Sequence, residues 1–86
     1  MSESPLTLKI VTPNEISFEG PVVSVVAPGA NGYLGILRNH APFITTVSKG
    51  KLSYRDEQGK TGSFQVEGGF LEVQKNRILV LTDKID

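Results

Sequence analysis

Turn-forming residues interrupt this chain so often that no long helix fits anywhere along it. Pro13-Asn14, Gly20-Pro21, Pro28-Gly29, Asn31-Gly32, Asn39 to Pro42, Lys49-Gly50, Gly59, Gly68-Gly69 and Lys75-Asn76 leave only short segments between them. Those segments are rich in Val, Ile, Leu, Phe and Thr, which suit a pleated, half-buried surface. No window places apolar residues at the 3.6-residue period of an amphipathic helix. The pattern predicts about nine short strands and essentially no helix, hence an all-β sandwich or flattened barrel.

Alternation sets the faces. Leu6, Leu8 and Ile10 alternate with Thr7 and Lys9, and Ile16 and Phe18 continue the period up to Gly20-Pro21. Val22-Val23-Ser24-Val25-Val26 is apolar on both sides and predicts a central or covered strand. Pro28 to Gly32 predicts a loop, Tyr33 to Leu37 a strand, and Asn39 to Pro42 a corner before the β-branched run Phe43 to Ser48. Leu52 and Tyr54 share one face, Arg55 to Lys60 forms an exposed hairpin tip, and Phe64 and Val66 lead back from it. Gly68-Gly69 predicts a break or bulge, and Ile78 to Leu81 a fully apolar final strand. No repeat or low-complexity segment is present.

Size and charge then exclude whole classes. The 86 residues predict one domain spanning 1–86, with no room for a second core. A domain this small has a stability of only about 5 kcal/mol, so burying apolar surface against a partner is an available gain. Nine basic and nine acidic side chains cancel to a net charge of zero, without the basic excess on which phosphate binding depends. There is no cysteine, so disulfides and thiolate metal sites are excluded. No apolar run approaches the roughly 20 residues that cross a bilayer, and Met1 to Pro5 has no signal-peptide hydrophobic region.

Reactive groups are sparse. Gln58-Gly59-Lys60-Thr61 ends like a phosphate loop, but Tyr54 stands where that motif needs its first glycine, and strand patterns flank it on both sides. Gly29, Gly32 and Gly35 have the wrong spacing for a dinucleotide fingerprint and no helix follows. His40 is the only imidazole, with no set of carboxylates converging on it for a metal and no Gly-x-Ser-x-Gly elbow for a triad. It either caps the Asn39–Pro42 corner through its ring nitrogens or stands at a contact surface. Glu15, Glu19, Glu67 and Glu72 are scattered along strand faces. Glu67, beside Gly68-Gly69, is either solvated or aimed at a partner. No catalytic, cofactor or metal site is expected.

The ordered set Ile10-Val11-Thr12-Pro13, Phe18-Glu19-Gly20, Gly32-x-x-Gly35-Ile36-Leu37, Asn39-His40-Ala41-Pro42 and Val66-x-Gly68-Gly69-Phe70-Leu71-Glu72-Val73 resembles the epsilon subunits of F-type ATP synthases, whose mitochondrial counterpart is named delta. The likeness runs from Leu6 to Asp83. It implies a β-sandwich of about ten strands that clamps the gamma subunit, rests on the c-ring and helps couple ion-driven rotation to ATP synthesis. Such a subunit catalyses nothing and meets the membrane only peripherally, on the cytoplasmic face of a bacterial inner membrane. By the same likeness Tyr33, Arg38, Asn39, His40 and Pro42 are the candidate gamma or ring contacts. Family members often carry an acidic residue where Tyr33 stands, so a packed ring with a hydrogen-bonded hydroxyl replaces a charge there. The sequence stops where most bacterial relatives continue into a two-helix hairpin, so neither hairpin-based inhibition nor its ATP site is expected. The alternative from composition alone is a small β-barrel binding module of the oligonucleotide-binding kind, which needs aromatics along a basic groove. A small hydrolase ranks below it for want of a nucleophile–base pair.

Overall fold

The computed structural model describes residues 5–86, and every regular element among them is a strand. β1 (Leu6–Thr12), β2 (Glu15–Val22), β5 (Phe43–Thr46), β8 (Phe70–Gln74) and β9 (Arg77–Leu81) form one sheet in the order β2-β1-β9-β8-β5. β3 (Ser24–Gly29), β4 (Gly32–Leu37), β6 (Gly50–Arg55), β7 (Thr61–Glu67) and β10 (Lys84–Ile85) form the other, in the order β10-β7-β6-β3-β4. Neighbouring strands run antiparallel except β1 beside β9. The result is the expected two-layer sandwich, with the ten strands that the family likeness implied and one more than the turn pattern alone suggested.

Period-2 alternation builds the core. Leu6, Leu8 and Ile10 of β1 are buried, as are Leu71 and Val73 of β8 and Ile78 and Val80 of β9. Facing them from the second sheet are Val25, Ile36, Leu52 and Val66. Tyr54 and Phe64 close one flank against Phe18, whose ring centroid lies 4.6 Å from that of Tyr54. The hairpin tip forms as expected, with the Asp56 carboxylate accepting the amides of Gln58 and Lys60 at 2.9 Å each.

Four local expectations need correction. Val22 to Val26 is not one strand: Val22 ends β2 in the first sheet, and β3 begins at Ser24 in the second. The doubled apolar pattern marks a change of sheet, and Val26 faces solvent. The Pro28–Gly32 loop contracts to a turn at Ala30-Asn31, because Gly29 and Gly32 already pair and Gly32 takes φ 116°. Ile16 leaves the face set by Ile10. Ile10 pairs with Phe18 and Val11 with Ile16, so Ser17 is an unpaired bulge that turns Ile16 outward. Ile78–Leu81 is not the last strand, since Lys84 and Ile85 pair with Glu67 and Val66.

The glycine pair makes a joint between the sheets rather than a bulge within one. Gly68 and Gly69 take φ 81° and 96°, linking β7 of one sheet to β8 of the other. Val47 locks the joint: its amide donates to the Gly69 carbonyl at 3.0 Å, and its carbonyl accepts the Gly68 amide at 3.1 Å.

Candidate functional site

The five expected contact residues do not form one cluster. Tyr33 sits near the start of β4, and Arg38 to Pro42 form the connection after its end. At the strand rise the Tyr33-to-Arg38 span is about 16 Å. The Tyr33 side chain lies across the outer face of the second sheet, and its hydroxyl accepts the Lys51 amide at 3.0 Å. That amide would otherwise lack a ladder partner, because β3–β6 pairing ends at Val26–Ser53. The ring also covers Gly50, where a Cβ would come within 2.5 Å of the Tyr33 oxygen. Tyr33→Phe is expected to cost about 1 kcal/mol in chemical denaturation and to speed exchange of the Lys51 amide. Unchanged exchange at Lys51 would show that the hydroxyl does not protect it.

The corner residues are held mainly by the chain itself. Asn39 adopts φ 69°, a conformation asparagine tolerates. Its amide donates to the Asn76 side-chain carbonyl at 2.6 Å, and the Asn76 side-chain amide returns a bond at 3.3 Å. The Asn76 backbone carbonyl in turn accepts the Thr7 amide at 3.0 Å, so one clip joins the β4–β5 corner, the β8–β9 turn and β1. The His40 amide bonds to the Leu37 carbonyl, and its Nδ1 lies 2.7 Å from the Ala41 carbonyl. A carbonyl only accepts, so Nδ1 carries the donated proton. The ring stands edge-on to Phe43 with centroids 6.2 Å apart. Of the two readings of His40, the corner cap is the one its hydrogen bonds support. Arg38 lines a shallow groove with Val23 and Glu57. Glu67 is exposed, and its backbone carbonyl accepts the hydroxyl of buried Thr82.

A different surface stands out on the first sheet. Pairing aligns Ile16 with Val11, Val11 with Leu81, and Leu81 with Phe70, all on the outer face. The next rung carries Leu79 and Ile44 on either side of Glu72. Exposure reaches 55% at Ile16, 45% at Leu81, 55% at Phe70 and 65% at Ile44. A continuous apolar stripe therefore crosses all five strands, with Lys9, Glu19 and Glu72 beside it. Scattered apolar residues on a surface mean little, but a contiguous patch marks an interaction site. Pro42 alone of the five candidates borders it, in a concavity shared with Ile44 and Glu72. Sequence reasoning missed the stripe. Its one signal was apolar residues at positions where alternation calls for polar ones, as at Phe70 beside Leu71 and Leu79-Leu81 beside Ile78-Val80. Among the described residues no cluster of histidine and carboxylate ligands is placed to hold a metal ion.

Comparison with known proteins agrees with this architecture. Residues 5–86 match the family model described as ATP synthase, Delta/Epsilon chain, beta-sandwich domain. The chain is 38% identical over 84 residues to the ATP synthase epsilon chain of Chlorobaculum tepidum, covering 98% of this chain and 96% of that one. To the epsilon chain of Pelotomaculum thermopropionicum it is 45% identical over 83 residues, 96% of this chain but 61% of the relative. The fold superposes on a chain of the Euglena gracilis mitochondrial ATP synthase with a TM-score of 0.88 at 21% identity, covering 95% of this chain and 52% of that one. A chain of the Tetrahymena thermophila mitochondrial ATP synthase central stalk and c-ring gives 0.81 at 15% identity, covering 100% of this chain and 69% of that one. The chain belongs to the delta/epsilon family of ATP synthase subunits, which it matches through that family's β-sandwich domain.

Proposed function

We propose that this chain is a non-catalytic rotor subunit of the ATP synthase central stalk, and that it grips the gamma subunit through the apolar stripe of the first sheet. The stripe carries the reading, because Ile16, Leu81, Phe70 and Ile44 form a ready-made apolar core for an interface with a charged margin. A sandwich suits the mechanical task. Interleaved side chains and two hydrogen-bonded sheets resist shear, so torque passes through the body instead of being lost in bending. The outer ends of β4, with Tyr33 at one and Arg38 to Pro42 at the other, then supply the polar contacts to gamma and the c-ring. The subunit meets the membrane peripherally, through the complex, on its cytoplasmic face.

Titrating isotope-labelled chain with the isolated gamma subunit tests this. The expected result is a set of chemical-shift changes centred on Val11, Ile44, Phe70 and Leu81. Saturating gamma without any change at those four residues would overturn the assignment of the face.

A further inference from the structure

We propose that the free edge of β4 is a second docking element, which takes an extended, uncharged segment of the same stalk partner as an added strand. The proposal rests on the preceding reading of the stripe. Its basis is the pairing of β4 with β3. Antiparallel ladders alternate between pairs that exchange hydrogen bonds and pairs whose amides and carbonyls point away. Pro28 opposes Tyr33 and has no N–H, so that pair cannot be of the exchanging kind. The alternation then turns the backbone N–H and C=O of Tyr33, Gly35 and Leu37 away from β3. β4 is the last strand of its sheet, so no strand among the described residues meets them. Among the described residues, only the Leu37 carbonyl of these groups has a partner, the His40 amide at 3.2 Å.

The other edges of the sandwich are blunted and this one is not. β2 carries Glu15, Glu19 and Pro21; β5 has 4 residues; β10 has 2, one of them Lys84. β4 runs for 6 residues, Gly32-Tyr33-Leu34-Gly35-Ile36-Leu37, with neither charge nor proline. Gly35 places no side chain on the outer face beside this edge, so none leans over its exposed N–H and C=O. Strand addition at such an edge draws affinity from main-chain bonds.

Two considerations select the occupant. A second copy paired edge to edge about Gly35 would bury a single six-residue strand, far below the roughly 1,200 Å² of a standard interface. A partner already seated on the stripe needs no such area, because its segment meets the edge at high effective concentration. The chain itself also links the two surfaces, because β4 runs into β5 through only Arg38 to Pro42. The Ala30 amide donates to Thr45 Oγ1 at 3.1 Å and Gly29 bridges Val47, which sets β5, where the stripe ends at Ile44, alongside the β3–β4 turn.

Residue-resolved amide exchange on the full chain, with and without isolated gamma subunit, decides the matter. In the free chain Tyr33 and Gly35 exchange fast, and Leu34 and Ile36, bonded to β3, exchange slowly. Saturation with gamma is expected to slow Tyr33 and Gly35 by on the order of 100-fold and to leave Leu34 and Ile36 unchanged. Gly35→Pro, which removes an N–H that the fold does not use, is expected to weaken gamma binding by about tenfold with the fold intact. If stripe residues shift on binding but Tyr33 and Gly35 still exchange fast, the edge proposal is wrong and the stripe stands. No response anywhere overturns both. Protection at Gly35 that rises with chain concentration in the absence of gamma identifies a second copy as the occupant and overturns the proposal.

Discussion

Gly69→Val is expected to leave most of the chain unfolded at room temperature. Gly69 holds φ 96°, where a β-branched residue is strongly disfavoured, and an added Cβ would land on the Leu81 carbonyl oxygen and 2.9 Å from Thr82 Cα. Both obstacles are backbone, so no side-chain rotation relieves the overlap. Displacing Gly69 also breaks its bond to the Val47 amide, which with the Gly68 amide ties the first sheet to the second. Strain of about 1–3 kcal/mol and one or two lost bonds of about 1 kcal/mol each sum to roughly 2–5 kcal/mol, before the cost of moving the Leu81 and Thr82 backbone is added. With that displacement included, the loss reaches the whole stability of a domain this size, about 5 kcal/mol. Gly35→Ala is the control: its Cβ meets nothing within 4 Å, and its cost is expected within about 0.5 kcal/mol. Urea denaturation followed by far-UV circular dichroism reads both, and a Gly69→Val midpoint near that of the parent chain would refute the account of the joint.

What was legible in the sequence follows from how local each determinant is. Leu6, Leu8 and Ile10 announce their strand because alternation needs only neighbouring residues, and Asp56 to Lys60 announces its turn for the same reason. The change of sheet at Val23 was hidden, since two inward-facing valines on successive strands look the same as one strand buried on both sides. β10 was invisible because Lys84-Ile85 is too short to show a period and depends on β7 for its existence. The corner at Asn39 and Pro42 was legible as a turn, but not its clip to Asn76, which is 37 residues distant. The same holds for Tyr33, which the family likeness marked as a contact and whose hydroxyl is directed at Lys51, 18 residues distant. The stripe depends on the register of five strands at once, and register is set by tertiary pairing rather than by any segment alone.

Phe70→Glu is expected to weaken gamma binding at least 100-fold while hardly changing the stability of the free chain. The side chain is 55% exposed on the outer face, so the core does not depend on it, and surface changes of this kind stay within about 0.5 kcal/mol. In the complex the balance reverses. Covering about 100 Å² of phenylalanine surface stabilises the interface by about 2.5 kcal/mol. A carboxylate in its place forgoes that and adds the cost of burying a charge, which Glu72 on the same face makes worse by like-charge repulsion. A loss of about 2.7 kcal/mol already corresponds to 100-fold. Ser63→Glu places the same charge on the outer face of the second sheet, opposite Ser53, and is expected to leave binding within about twofold. Calorimetric titration of gamma with the two variants separates the faces. Equal weakening by both would mean that overall charge, not the stripe, governs association, whereas loss at Phe70 alone ties attachment to the apolar stripe that crosses the first sheet.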